Sequence, residues 1–194
     1  MTKEQKIIGS WEDLQASAAG AISHDRMLLT STQLAGYWRR CSLSSDFWAR
    51  YIALSSPHFQ VDRKVKREAV ESTLSYLLNE MFENCAKFSA GPLDAVTYEA
   101  WLFPDRLAIQ MTNHIAPDQM PEFVKLIDQL LSGDPNELYF QRLEENAETN
   151  QTGSGLGYLT LMKDYNVRFG FRFVPAGEGS VAVDVQAHIN VKEI

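Results

Sequence analysis

Apolar residues along this chain recur at two periods, and the change from one to the other marks out the elements. From about Arg63 to Phe88, Val70, Leu74, Leu77, Leu78, Met81, Cys85 and Phe88 return every three or four residues, which predicts one long amphipathic helix with a basic start, DRKVKRE. Gly91 and Pro92 then stop it. The segments DAVTYEAWLF and RLAIQMTN alternate apolar and polar residues across the turn PDR, so residues 94–103 and 106–113 read as an antiparallel hairpin. Helical spacing returns in DQMPEFVKLIDQLLSG, with Phe123, Val124, Ile127, Leu130 and Leu131 inward and Gly133 at its close. DPNELYFQRLEENAETN predicts a further helix, with Asp134 as its cap and Pro135 in its first turn. The glycine-rich QTGSGLG runs directly into an apolar helix over Tyr158 to Asp164, and RFGFRFVP and SVAVDVQAHINV read as two closing strands around AGEG.

The first forty residues carry a weaker pattern, with a strand expected near 26–31. SLSSDFWARYIALSS predicts a short helix capped by Ser44 or Ser45, carrying Phe47, Trp48, Tyr51 and Ile52 at helical spacing and ended by Pro57. Paired strands with helices between them, and no regular βαβ repeat, make this an α+β chain. The expected architecture is a two-layer sandwich whose mostly antiparallel mixed sheet is covered by helices on one face. A length of 194 residues suits a single core, divided into an N-terminal extension, 1–62, packed on a domain of residues 63–194.

Composition narrows the function classes. With 45% hydrophobic and 22% charged residues the chain has the texture of an ordinary soluble domain. A net charge of -7 argues against nucleic acid or an anionic membrane as partner and favours a small molecule or a protein. No apolar run reaches the length of a signal peptide or a membrane span, so a cytoplasmic location is expected. Cys41 and Cys85 lack metal or redox spacing and are read as reduced, structural thiols.

Two segments could carry chemistry. In NEMFENCAKFSAG, Glu80, Asn84 and Lys87 share one helix face at the border of the apolar stripe, where side chains can look into a cleft. A carboxylate and a carboxamide at i and i+4 could supply a general base and one oxygen ligand to Mg²⁺. The competing reading is a solvated helix edge, with Glu83 and Lys87 as a surface pair. LEENAETN repeats the Glu-Asn-Ala string without this context, a sign that such strings also recur by chance. In TGSGLGYLTLM, Gly153, Gly155 and Gly157 open a helix whose N-terminal amides suit phosphate oxygens. A glycine-rich change of chain direction is the alternative.

The order of these elements is where a family becomes visible: NEMFENCAKF on a helix, a hairpin, further helices, GSGLG opening a helix, then two strands. Over about residues 65–191 the chain resembles the GHKL, or Bergerat-fold, ATP-binding domain of histidine kinases, anti-sigma-factor serine kinases, gyrase and Hsp90. The resemblance implies ATP and Mg²⁺ as cofactors, with Glu80 as catalytic base, Asn84 as metal ligand, and Gly153, Gly155 and Gly157 with Lys87 at the phosphates. Where that superfamily has Asp-x-Gly-x-Gly for adenine, this chain has TNHIAPDQM, which leaves Asn113 to face the base through its amide. The wider texture, WRRCSLSSDFWARY and SGLGYLTLMKDY included, is similar to stand-alone bacterial or cyanobacterial regulators of the SiaB and anti-sigma-factor kinase type. That likeness implies a STAS-like protein partner, which an active enzyme would phosphorylate on Ser or Thr and a pseudokinase-like adaptor would only bind. Residues 1–62 would then serve as a subdomain, a lid or the contact of a homodimer, with Trp38, Arg39, Arg40, Phe47 and Trp48 available to any of these. His24 and His114 are read as ordinary surface or loop residues.

Overall fold

The computed structural model describes residues 5–30, 38–55, 64–91, 95–149, 155–177 and 179–190. Ser31, Pro57, Arg63, Pro92, Asp94 and Gly153, all used in the sequence reading, lie outside the described residues, as do the side chains of Trp38, Arg39 and Arg40.

The described elements run β1 (Lys6–Gly9), α1 (Leu14–Ser17), β2 (Ser23–Thr30), α2 (Trp38–Ser55), α3 (Lys64–Phe88), β3 (Ala95–Leu102), β4 (Arg106–Ile115), α4 (Met120–Leu130), α5 (Pro135–Thr149), α6 (Leu156–Tyr165), β5 (Arg168–Pro175) and β6 (Val181–Asn190). The long helix, the hairpin and the closing strands thus form where the periods place them. Asp134 caps α5 as expected, its Oδ1 accepting from the amides of Asn136 and Glu137 at 2.9 and 3.2 Å.

Helix α2 departs from the expectation. The short helix read as starting at Ser44 or Ser45 is the interior of an 18-residue helix. Ser45 is no cap: its hydroxyl donates to the Cys41 carbonyl at 2.7 Å, the back-bond that satisfies a serine inside a helix.

The six strands form one sheet in the order β1-β5-β6-β4-β3-β2. Every described pairing is antiparallel, so the expected mixed character is absent among the described residues. The cause is the excursion through α4, α5 and α6. It returns the chain two places from β4 and leaves a gap that β6 fills, running opposite to both neighbours. The stretch before residue 63 supplies both edge strands as well as α2.

The sheet has two unlike faces. Tyr98, Ile109, Met111, Phe171, Phe173, Val183 and Val185 point to the side of α2–α6 and form the main core with Leu74, Leu77, Leu78, Met81 and Phe82 of α3. The opposite face carries a buried polar network beneath the segment from Ser10 to Gly20. The side-chain amide of Gln186 exchanges hydrogen bonds with the Glu12 backbone at 2.9 and 3.0 Å, as a neighbouring strand would. Asp184 accepts from Thr112 Oγ1 at 2.6 Å and from Arg172 Nε at 2.7 Å. The Arg172 guanidinium in turn lies 4.5 Å over the Trp11 ring. Leu14 of α1 closes a small apolar cluster on this side with Trp101, Phe103 and Ala108.

Candidate functional site

The polar stripe of α3 faces the first turns of α6, and the two helices meet through three successive rungs. Tyr76 lies beside Thr160, Glu80 lies on Gly157, and Asn84 lies beside Tyr158. Residues 76, 80 and 84 are one helical turn apart, so a single face of α3 supplies all three.

Two glycines make this approach possible. Gly155 caps α6 in a left-handed conformation, φ 101°, where a side chain would be strained. Gly157, the second residue of the helix, has no room for any side chain: a Cβ there would stand 1.8 Å from Glu80 Oε2 and 2.4 Å from Cδ. The Glu80 carboxylate therefore sits at the helix end where negative charge is favoured, which is where a phosphate would also be drawn.

Electrostatically the rungs are tuned upward. Burial, then the neighbouring Glu83 carboxylate, hold Glu80 above the ordinary range, while Lys87 pulls the other way. Lys87 itself is exposed on the last turn of α3. Burial also raises the phenols of Tyr76 and Tyr158, with the Glu80 charge adding to both. Glu83, the acid in the competing surface-pair reading, accepts from Asn79 Nδ2 at 2.7 Å.

Asn113 reaches the same place from the sheet. It is 4% exposed on β4, and its Nδ2 points to the Ser89 hydroxyl at 3.5 Å. Ser89 follows the end of α3 and donates to the Cys85 carbonyl at 2.7 Å. Asn84 and Asn113 line one common cavity, walled also by Phe88, Phe123 and Tyr158. Glu80, Asn84, Asn113 and Gly157, drawn from three separate stretches of sequence, are thus gathered in one region. Gly155 stands at its edge.

The residues that the sequence reading passed over are those that fill this region. Phe123 of α4 stacks on Phe88 at 6.0 Å and meets Phe171 and Phe173 edge-on at 6.3 and 5.8 Å. Tyr158 packs edge-on against Phe169 at 4.8 Å. Both had been counted only as apolar helix positions. The signal for Tyr158 was its place directly after the last glycine, with a hydroxyl that needs a partner once buried.

The polar groups suit a magnesium nucleotide, since Asn84 has a carboxamide oxygen for the metal and the N-terminal end of α6 favours negative charge. The space does not suit it. The common cavity measures about 10 Å³, room for one water, whereas ligand pockets measure roughly 300–1,000 Å³. A purine would enter only if Tyr158 and Phe123 withdrew. Among the described residues no group of three or more His, Cys, Asp or Glu is placed to hold a metal ion, and no helix is long and apolar enough to cross a membrane.

Compared with known proteins, the chain matches no family model and no curated protein.

Proposed function

We propose that this chain is a bacterial signalling regulator built on the histidine-kinase-type ATP-binding fold, acting in partner switching by binding a STAS-like protein. The observation that supports this reading is the convergence of Glu80, Asn84, Asn113 and Gly157 between α3, β4 and α6. A helix edge of purely solvated residues would have no reason to press a carboxylate onto a side-chain-free turn or to bury an asparagine against a tyrosine. In the enzymatic form of the proposal ATP and Mg²⁺ are the cofactors. Asn84 would hold the metal, Gly155 and Gly157 would leave amides open to phosphate, and Lys87 would add positive charge. Glu80 would take the proton of the partner's Ser or Thr hydroxyl.

A second reading is favoured by the filled cavity. The packing of Asn84 beside Tyr158, the Phe88 and Phe123 stack, and asparagine rather than aspartate at position 113 describe a site closed to nucleotide. The chain would then be an adaptor that binds its partner without ATP.

Calorimetric titration of the full chain with ATP and Mg²⁺, repeated on Asn84→Ala, separates the two. Binding that Asn84→Ala abolishes supports the kinase form. No binding at millimolar ATP leaves the adaptor. Binding untouched by Asn84→Ala removes this residue from the metal site.

A further inference from the structure

Helix α2 is apolar on two opposite faces. Cys41, Ala49, Ile52 and Ala53 are buried against the body of the protein, with Ser45 among them. On the other side Leu43, Phe47, Tyr51 and Leu54 are 68, 60, 41 and 48% exposed. Steps of four, four and three residues set them in one stripe along the helix. A helix apolar on both sides is ordinarily covered on both sides.

The stripe is also pre-ordered. Phe47 stacks on Tyr51 at 6.2 Å, and both rings meet Trp48 edge-on at 5.2 and 5.6 Å. Trp48 turns inward and packs on Tyr98 at 4.9 Å, so the exposed pair is anchored to the core. Rigid aromatic anchors of this kind lose little freedom when an interface forms.

The pattern within α2 identifies the occupant. Consider two copies of the helix laid antiparallel about a two-fold axis midway between Trp48 and Ala49, so that positions within about one residue of equal distance from it meet. Leu43 then faces the partner subunit's Leu54, and Phe47 faces the partner subunit's Tyr51. On the flank toward α3, Asp46 faces the partner subunit's Arg50. Both Asp46 and Arg50 line the open cleft between α2 and α3, where side chains can reach past the helix edge. The stripe therefore matches itself when reversed, aliphatic to aliphatic, aromatic to aromatic and acid to base, which is the requirement of an isologous contact. A partner of unrelated sequence would impose no such internal symmetry.

We propose that two copies of this chain pair through the outer face of α2, helix against helix and antiparallel, with Phe47 and Tyr51 at the centre. This contact lies on a different helix from the α3/α6 site and does not depend on whether nucleotide binds there.

Sedimentation equilibrium of the full chain over a rising concentration series tests it. The wild type is expected to reach the mass of two chains. Phe47→Glu is expected to stay at one, with an unchanged far-ultraviolet circular dichroism spectrum showing that it folds. Asp46→Arg and Arg50→Asp, each placing like charges opposite one another, are expected to weaken pairing by about tenfold or more. Because the double exchange restores opposite charges, it is expected to recover most of that loss. The loss of the Asp46 bond from Ser75 is common to Asp46→Arg and the double variant and cannot produce the recovery. A wild type that remains single throughout overturns the proposal, as does a folded Phe47→Glu chain that pairs like the wild type. A double exchange without recovery also overturns it, since the stripe would then be covered in another register or by another protein.

Discussion

Gly157 and Glu80 fix each other's place: the α6 backbone comes so near the carboxylate that a methyl on residue 157 would meet Oε2 at 1.8 Å. Helix propensity alone would favour alanine here by roughly 0.5–1 kcal/mol. Gly157→Ala is nevertheless expected to lower the thermal midpoint, because the half-buried Glu80 must be displaced. In an Glu80→Ala background the same change should become neutral or stabilising. Equal effects in both backgrounds would show that the contact carries no energy.

The protonation of Glu80 sets a second expectation. Its folded-state value is raised above the ordinary 4.5, chiefly by burial, so the folded protein holds this proton more tightly than the unfolded chain. The associated stability is present below the ordinary glutamate range and is lost as pH rises through the folded value. Glu80→Gln, which keeps the shape without the charge, should therefore stabilise the protein at neutral pH and converge on wild type in acid. Denaturant melts at the two pH values measure this. A Glu80→Gln protein that is weaker at neutral pH would mean that attraction to the α6 terminus outweighs burial.

Tyr158→Phe removes a buried phenol hydroxyl that lies in the same small cavity as the half-buried Asn84 carboxamide. The expected cost is about 1–3 kcal/mol in chemical denaturation. In an Asn84→Leu background, where nothing polar remains to be orphaned, the cost of Tyr158→Phe should fall towards zero, a pattern that a double-mutant cycle reads directly.

On the other face of the sheet, Arg172→Met withdraws the guanidinium from the buried Asp184 carboxylate. A loss of about 1.5–3 kcal/mol is expected, the range for hydrogen bonds to charged groups. Since the same guanidinium covers Trp11, the variant should also change the intrinsic tryptophan fluorescence of the native state. Stability loss without any spectral change would place the effect elsewhere than beneath the Ser10–Gly20 segment.

The parts of this fold that were legible in the sequence are those whose own residues decide their structure. Helix α3 shows its period over twenty-five residues, and Asp134 with Pro135 announces the start of α5. Strand β1 is the opposite case. KIIG has mostly exposed side chains and becomes a strand only by pairing with residues 170–173 of β5. In VAVDVQAHIN the alternation identified a strand, and the polar face of an antiparallel sheet ordinarily meets solvent. Asp184, Gln186 and His188 are instead covered by a segment from the other end of the chain. The site divides in the same way. Glu80, Asn84 and the glycines could be picked out because their residue types are chemically unusual at those positions. That Phe123 and Tyr158 would close the space between them depends on how α4 and α6 pack, and packing of large apolar side chains leaves no local mark in sequence.

The strand order has a consequence for how the molecule is made. Strand β6, the last of the sheet to leave the ribosome, lies near its middle, and β1, the first to leave, pairs with β5, the last but one. Up to that moment a growing chain holds the β3–β4 hairpin, with β2 joined to it across α2 and α3, and one side of β4 bare, an open edge inviting strands of other chains. Synthesis that stalls before residue 181 would leave such an adhesive fragment, and folding is expected to wait on contacts that span nearly the whole chain.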